Sequence, residues 1–217
     1  MIPLPKIQIV FAAVETPRFS EFHGDLWRLY QALPPGTPLP QWRIGVDICY
    51  SLNSAIRDAP KDVEAFWFIG DDHTFSPDTL ARLWARNLPV VVPYCLKRNA
   101  PHQPVTMNEA GGCIVPGPTQ TGLWQVPMVG SAGMLVRRSV MEQVGDPWFS
   151  VPNVPGQERQ SEDLEFCRKV GALGIPIYVD LDTAIGHITR VEVWPVLHPT
   201  AGWVVSYRVT LRQQILP

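Results

Sequence analysis

One short stretch in the first half of the chain restricts the fold more than any other. Residues 65–69, with the sequence AFWFI, are all apolar and run directly into the turn Gly70-Asp71-Asp72-His73. An uninterrupted apolar run of this length is typical of a strand that is covered on both faces of a sheet. Because open α/β folds bind ligands beyond the carboxyl ends of such strands, the stretch predicts a buried strand that ends in a ligand site.

Strand-like and helix-like patterns alternate along most of the chain. The predicted strands span residues 6–14, 42–48, 65–69, 90–95, 134–136 and 175–179. The predicted helices span 20–32, 51–58 and 138–144, with two more opened by Ser76 and Ser161 as N-caps, and Ser20 caps the first. This alternation indicates an α/β fold with a mainly parallel central sheet flanked by helices. A Pro- and Gly-rich loop over 145–160 is long enough for a functional flap.

Length, charge and composition limit the class of protein. A chain of 217 residues with 46% hydrophobic content predicts one domain with a sizeable core. The formal net charge of −2 excludes a global positive field directed at nucleic acid or an anionic membrane, while a local basic patch stays allowed. The apolar run over 7–14 is too short to span a bilayer, so we expect no membrane span.

The four cysteines are scattered through apolar segments. They stand at Cys49, Cys95, Cys113 and Cys167, with no close pair among them. This spacing predicts neither a zinc cage nor a disulfide framework. We therefore expect a reducing, cytoplasmic environment.

Two segments carry residues that can bind a metal ion. Asp71 and Asp72 follow the buried strand, and His187 follows Gly186 after the last predicted strand. A divalent cation held by one or two carboxylates leaves coordination positions free for phosphate groups. Mixed carboxylate and imidazole ligation suits Mn²⁺ better than Mg²⁺. The alternative interpretation is a solvated acidic turn and a structural histidine.

Two further motifs can serve a reaction. Glu162 and Asp163 stand at a helix start, where the helix dipole keeps a carboxylate ionised and able to accept a proton. They can equally serve as charge compensation for the helix. The small residues 130–133, ending in Gly133, allow close approach of the backbone to a ligand, or simply a tight entry into the next strand.

Taken in order, these motifs resemble the GT-A glycosyltransferases related to family 2. The resemblance rests on Asp-Asp-His after an apolar strand, then GSAGMLVRRSV, PWF, SEDLEFCRKVGALGIPIYVD and IGH, and it covers residues 6–188 approximately. It implies a GT-A (Rossmann-like) catalytic domain over 1–217. About 1–95 would bind the nucleotide, about 96–190 would bind the acceptor and carry catalysis, and 191–217 would form a tail.

The resemblance also implies roles for individual residues. Asp72 becomes the metal-binding acid of the Asp-x-Asp motif, and His187 a further metal ligand. The first acid of that motif falls on Gly70, so its ribose contact would pass to Asp71. Asp163, with Glu162 beside it, matches the acid that acts as base or acceptor anchor. The donor-binding residues are predicted at Ala13, Glu15, Thr16, Asp71 and Gly133, and Asn53 and Arg57 fall near a frequent Arg-Asn pair.

The implied activity is metal-dependent transfer of a sugar from a nucleotide sugar, with a UDP-sugar favoured and Mn²⁺ or Mg²⁺ as cofactor. One candidate acceptor is 5-hydroxymethylated pyrimidine in phage DNA, which would place the protein in the host cytoplasm; the alternative acceptors are a glycan and a small molecule. Basic and aromatic residues that could hold DNA are Lys97, Arg98, His102, Arg159, Arg190, Trp194, Trp203, Tyr207, Arg208 and Arg212. The same tail residues can simply pack on the core.

Two other functions fit parts of the pattern. Gly-Asp-x-His and a later Gly-His are fragments of a metallophosphoesterase site, although such a two-metal site needs more ligands than these. A non-catalytic module that binds a nucleotide sugar is consistent with Gly70 at the position of an acid. Metal-dependent turnover separates that module from an enzyme.

Overall fold

The structure is a computed structural model that describes residues 4–12, 19–41, 47–99, 101–152, 161–189 and 192–208. Several predictions lie outside these residues. They include the donor contacts at Ala13, Glu15 and Thr16, most of the strand predicted at 42–48, the second half of the 145–160 loop, and the tail residues Arg159, Arg190 and Arg212.

The described elements alternate much as the sequence predicts. The strands are β1 (Ile7–Ala12), β2 (Ala65–Gly70), β3 (His73–Thr74), β4 (Val90–Tyr94), β5 (Thr106–Met107), β6 (Leu123–Val126), β7 (Met128–Val129), β8 (Met134–Arg137), β9 (Ile177–Ala184), β10 (Gly186–Ile188), β11 (Glu192–His198) and β12 (Gly202–Arg208). The helices are α1 (Ser20–Ala32), α2 (Ile48–Arg57), α3 (Thr79–Ala85), α4 (Arg138–Val144) and α5 (Glu162–Ala172).

Within the described residues, the central sheet has six strands in the order β1-β2-β8-β4-β9-β6. β1 pairs with β2 and β4 pairs with β9 in parallel, while β8 lies antiparallel between β2 and β4 and β6 is antiparallel to β9. Strands β1, β2, β4 and β9 therefore run in one direction. The prediction of an α/β fold with a mainly parallel sheet is confirmed.

Strand β2 is deeply buried, as its apolar run predicts. Its residues from Ala65 to Phe68 are each at most 1% exposed. The indole of Trp67 donates a hydrogen bond to the carbonyl of Gly133, at 2.8 Å. Since both faces of β2 are covered, its carboxyl end is fixed rigidly where the acidic turn begins.

A second sheet joins the two segments predicted to hold a metal. Its strand order is β12-β11-β10-β3, and the pairing of β10 with β3 sets His187 opposite His73 and Gly186 opposite Thr74. The two imidazole rings stack with their centroids 4.4 Å apart. Residues separated by more than a hundred positions in sequence thus form one cluster.

The helix starts differ from the predicted caps. Phe19, not Ser20, is the N-cap of α1, and Asp78, not Ser76, is the N-cap of α3, neither with a capping side chain. Helix α2 begins three residues earlier than predicted because the Asp47 carboxylate accepts a hydrogen bond from the amide of Tyr50, at 3.2 Å. Of the three predicted serine caps, Ser161 is the N-cap residue of α5, whereas Ser20 and Ser76 are not N-cap residues.

The described part of the long Pro-rich loop is held against two helices. The Asn53 side chain donates to the carbonyl of Phe149 at 2.8 Å and accepts from its amide at 3.0 Å. The Arg57 guanidinium makes two hydrogen bonds of 2.6 Å with the Asp146 carboxylate. Asn53 and Arg57 thus anchor the base of the loop.

Arg86, directly after α3, forms an ion pair with Asp180 of β9. Asp180 is fully buried, and its carboxylate accepts from Arg86 at 2.9 and 2.7 Å, from the Thr183 hydroxyl at 2.8 Å and from the Asp182 amide at 3.1 Å. Removing one partner of a buried, hydrogen-bonded pair leaves the remaining polar groups desolvated without compensation.

We expect Asp180→Asn to lower the free energy of unfolding by about 3 kcal/mol, the lower end of the range for buried pairs because part of Arg86 reaches solvent. Asp182→Asn is the matched control, since Asp182 also bonds Arg86 but has a side chain 42% exposed. We expect Asp182→Asn to lower the free energy of unfolding by no more than about 1 kcal/mol. Urea unfolding of both variants measures the difference, and equal small losses would contradict a structural role for the pair.

Among the described residues, no helix has both the length and the apolar content needed to cross a membrane.

Candidate metal centre

A cleft of about 240 Å³ opens at the carboxyl end of β2. Its walls come from the start of α2, the end of β2 with the acidic turn, the loop after β4, and the turn before β8. The lining residues are Ile48, Leu52, Phe68, Ile69, Gly70, Asp71, Asp72, His73, Arg98, Ser131 and Ala132. A larger cleft of about 400 Å³ lies between α1 and β11, but neither Asp71 nor Asp72 lines it. The smaller cleft is therefore the candidate site.

Asp72 is the centre of the polar contacts in this cleft. Its Oδ2 lies 3.3 Å from Nε2 of His187 and 3.1 Å from Nη1 of Arg98, and its Oδ1 lies 3.1 Å from Nδ1 of His73. Burial alone would raise the pKa of Asp72. A hydrogen bond from Nε2 of His187, when that ring carries both protons, and one from Nδ1 of His73 outweigh burial and hold the pKa well below its usual range. The carboxylate is thus ionised at any ordinary pH and available as a ligand.

The hydrogen bonds of the two imidazoles define which nitrogen of each can bind a metal. His187 Nδ1 lies 2.9 Å from the carbonyl of Leu96, and His73 Nδ1 lies 3.2 Å from the carbonyl of Gly70. A carbonyl only accepts, so each Nδ1 carries the proton and each Nε2 presents its lone pair when the ring is neutral. Metal-bound histidines usually donate their other nitrogen to a carbonyl or carboxylate in this way.

The pair formed by Asp72 and His187 fits a divalent cation. A neutral His187 points its Nε2 lone pair at the Asp72 carboxylate, an arrangement that requires a proton or a cation between them. Adjacent ligands of an octahedral ion with bonds of about 2.1 Å lie about 3 Å apart, close to the 3.3 Å between these two atoms. His73 donates to Asp72 from behind and orients it.

Gly70 explains why the turn lacks a first acid. A Cβ at this position would lie 2.6 Å from Oδ1 of Asp72 and 2.9 Å from Nδ1 of His73. Both side chains belong to the cluster, so any larger residue would displace them. Asp71, only 1% exposed, lines the cleft beside Gly70. Its contact with a ribose stays a prediction.

Arg98 brings a positive charge to the mouth of the cleft. Its side chain is 47% exposed while its guanidinium contacts Asp72. An exposed guanidinium next to an acidic metal ligand can move from that ligand to an incoming phosphate oxygen. The sequence pointed to Arg98 for DNA contacts, and the structure places it in the candidate site.

The acidic pair at the start of α5 lies beside the cleft, with the two acids in different environments. Asp163 accepts hydrogen bonds from the amides of Leu164 at 2.8 Å and Ser131 at 3.3 Å, and from the Ser161 hydroxyl. Ser161 is the N-cap residue, yet its side chain makes no capping bond to the helix. Asp163 thereby fixes the 130–133 turn, whose Ser131 lines the cleft.

Glu162 is the acid whose proton affinity is altered. Burial is the largest cause that raises its pKa, and the neighbouring carboxylates of Asp163 and Asp47 raise it further against a smaller lowering by a backbone hydrogen bond. Asp47 caps α2, whose next residue, Ile48, lines the cleft. Glu162 therefore lies near the cleft with a pKa shifted toward that of a useful base.

Gly133 lies against the core behind the turn. It has a φ of 73°, and a Cβ there would lie 2.8 Å from the Pro93 side chain. Its carbonyl accepts the Trp67 indole hydrogen bond. These contacts explain why glycine is required for packing, and its predicted contact with the donor stays a prediction.

Of two tail aromatics that could hold DNA, Trp203 packs against the core, whereas Trp194 is half-buried and lines the larger cleft. The rings of Trp203 and Tyr94 meet edge to face with their centroids 4.7 Å apart, and the Trp203 indole donates a hydrogen bond to the carbonyl of Gln120. The Trp194 indole donates a hydrogen bond to the Glu192 carboxylate. The loop carrying Lys97 closes on itself, since His102 contacts the Lys97 carbonyl at 3.1 Å.

Two side chains close to His187 received no role from the sequence: His73 and Cys95 each have a ligand atom within 4.8 Å of one on His187. His73 was noted in the acidic turn but given no role, and Cys95 was assigned to a buried strand. Since β2 and β4 run in the same direction, the residues that follow them meet at one edge of the sheet, and this rule would have placed Cys95 near Asp72. The pairing of β3 with β10 carries no comparable sequence signal.

Comparison with known proteins supports the fold. No protein-family model and no curated protein matches this chain. Among solved structures, the protein A197 from STIV matches with a TM-score of 0.57 and 12% identity over 93% of this chain and 94% of that one. GalNAc-T7, solved with UDP, GalNAc and Mn²⁺, matches with a TM-score of 0.51 and 13% identity over 86% of this chain.

The match to GalNAc-T7 concerns part of that protein, because this chain spans 43% of it. GalNAc-T7 is a glycosyltransferase of the GT-A fold. At such low identity the likeness shows the fold alone. The chain therefore has a GT-A-like α/β fold, as its motifs predict.

Proposed function

We propose that the protein is a metal-dependent glycosyltransferase that moves a sugar from a nucleotide sugar, with UDP-sugars favoured, to an acceptor hydroxyl. One observation carries the proposal: in a GT-A-like fold, Oδ2 of Asp72 lies 3.3 Å from Nε2 of His187, at the end of the central strand. Neighbouring structures with this fold include a glycosyltransferase solved with UDP and Mn²⁺.

Different residues at the cleft would stabilise different parts of the leaving nucleoside diphosphate. Asp72 and His187 would hold a Mn²⁺ or Mg²⁺ ion, which supplies positive charge to the diphosphate. Arg98 adds a guanidinium that donates hydrogen bonds to phosphate oxygens. Asp71 lies next to these groups and is assigned to the ribose.

The acids at the start of α5 act on the acceptor side. Glu162, with its raised pKa, accepts the proton of the attacking hydroxyl, while Asp163 holds the Ser131 turn in place. This assignment exchanges the roles that the resemblance implied, since the hydrogen bonds of Asp163 already serve the turn and the helix start. Direct attack by the activated hydroxyl on the anomeric carbon describes an inverting transfer.

The acceptor divides into three candidates: hydroxymethylated pyrimidine in DNA, a glycan and a small molecule. DNA is supported by the basic loop after β4, where Lys97 is adjacent in sequence to Arg98, which lines the cleft. Trp203 packs on the core and so does not support DNA binding, whereas Trp194 lines the larger cleft. DNA stays a proposal that the acceptor assay tests.

The competing functions have less support in the cleft. Among the described residues, one group of three or more metal-binding side chains occurs, formed by His73, Cys95 and His187. A metallophosphoesterase needs ligands for two ions. A non-catalytic module would not require the raised pKa of Glu162 beside the cleft.

The test is release of the nucleoside diphosphate from UDP-, GDP-, CDP- and dTDP-sugars, with Mn²⁺ or with EDTA. We expect metal-dependent release from one donor, faster with the correct acceptor among hydroxymethylated DNA, unmodified DNA and glycans. Unmodified DNA is the control for the DNA acceptor. Binding of a donor without release under any condition would overturn the enzyme in favour of the binding module.

A further inference from the structure

A second set of metal-binding side chains overlaps the Asp72 centre. His73, Cys95 and His187 each place one ligand atom within 4.8 Å of the others. Cys95 directly follows β4 and is 1% exposed. Its Sγ lies 3.5 Å from the Leu96 carbonyl, the same oxygen that accepts from Nδ1 of His187 at 2.9 Å. One backbone carbonyl thus positions a thiol and an imidazole together.

An unpartnered atom points to a ligand in this set. Nε2 of His73 is buried and has no hydrogen-bond partner in the described structure, and the residue is 5% exposed. Its Nδ1 is already committed to Gly70 and Asp72. A buried polar atom without a partner is costly to the fold, and a metal bond at that nitrogen would remove the cost.

We infer that His73, Cys95 and His187 form a binding site for a soft divalent cation, Zn²⁺ first among them. Two imidazoles and a thiolate are the donor set of zinc sites, whereas Mn²⁺ prefers carboxylate and water. On binding, the Cys95 thiol releases its proton to solvent and its sulfur bonds to the metal. Nδ1 of each histidine keeps its hydrogen bond to a carbonyl.

The two metal sets cannot be filled together, because both use Nε2 of His187. Zn²⁺ binds a given nitrogen and sulfur site more tightly than Mn²⁺. Zinc in the thiolate set therefore removes a ligand from the Asp72 set. This consequence rests on the proposed function: zinc inhibits metal-dependent transfer by competition for His187.

Cobalt is the probe that reports the sulfur directly. Co²⁺ bound to a thiolate absorbs in the near-ultraviolet through sulfur-to-metal charge transfer. We expect this band when Co²⁺ is added to the reduced wild-type protein and its loss in Cys95→Ser, with zinc affinity reduced at least about 10-fold. Cys167→Ser is the matched control, since Cys167 is also buried and its Sγ lies 3.3 Å from the carbonyl of Val129. The charge-transfer band of Co²⁺ should persist in that variant.

A measurement on the wild-type protein does not depend on whether a variant folds. X-ray absorption at the zinc edge of the wild-type protein should show one sulfur at about 2.3 Å with nitrogen neighbours. A shell without sulfur, or a charge-transfer band that survives in Cys95→Ser, would overturn the zinc site. Mn²⁺-dependent UDP binding is measured on a separate, zinc-free portion of the wild-type protein. Its absence there, beside an intact sulfur signal in the zinc-loaded portion, refutes the proposed function and leaves the zinc site standing.

Discussion

Asp72→Asn is expected to reduce metal-dependent transfer by more than about 100-fold, because it removes the charged ligand of the centre. The protein should still fold, since about half of the Arg98 side chain reaches solvent and its charge is not left buried by the change. Steady-state release of the nucleoside diphosphate over a range of Mn²⁺ concentrations measures the effect. We expect the apparent Mn²⁺ affinity to fall together with kcat.

Asp78→Asn is the matched control for this prediction. Asp78 lies six positions away, is exposed, and makes no capping hydrogen bond to α3. The same chemical change there should leave both activity and metal affinity unchanged. An Asp72→Asn enzyme that keeps wild-type activity and metal response would refute the metal assignment.

Glu162→Gln is expected to lower kcat by about 10²–10⁴-fold, the usual contribution of a general base, with donor binding retained. A base works only when ionised, so wild-type kcat should fall as the pH drops through the Glu162 pKa. Burial raises that pKa, so the fall should occur at a higher pH than for an ordinary glutamate. The acidic limb of the pH profile should disappear in the variant.

Two other acids give this experiment its controls. Glu142→Gln, on the exposed face of α4, should leave the pH profile unchanged. Asp163→Asn tests the other candidate for the base: we expect a smaller loss of kcat, with the acidic limb intact. If Asp163→Asn removes the limb and Glu162→Gln keeps it, the base is Asp163, as the resemblance implied.

Local patterns predicted most of the central fold. The apolar run of β2, the strand at β4 and helix α4 follow from the burial and spacing of single segments, and each lies where the sequence placed it. The short strands β5 to β7 were missed because two to four residues carry too little periodicity. The antiparallel placement of β8 depends on long-range pairing, which no local pattern encodes.

Local patterns also predicted part of the candidate site. Asp72 and His187 were selected from their positions after strands, and the structure brings them within 3.3 Å of each other. The different environments of Glu162 and Asp163 come from packing against the Asp47 and Ser131 segments, which are far away in sequence. Roles that depend on such neighbours require the folded structure.

The most direct test of the metal-dependent donor site is a thermal-shift panel of UDP-, GDP-, CDP- and dTDP-sugars, each with and without Mn²⁺. A donor present at about one hundred times its dissociation constant should add roughly 2.7 kcal/mol to the free energy of unfolding. We predict such a shift for one nucleotide, UDP first, in the presence of Mn²⁺ and its loss in Asp72→Asn. Stabilisation by no nucleotide sugar, or a shift of equal size without metal and in Asp72→Asn, would contradict the account.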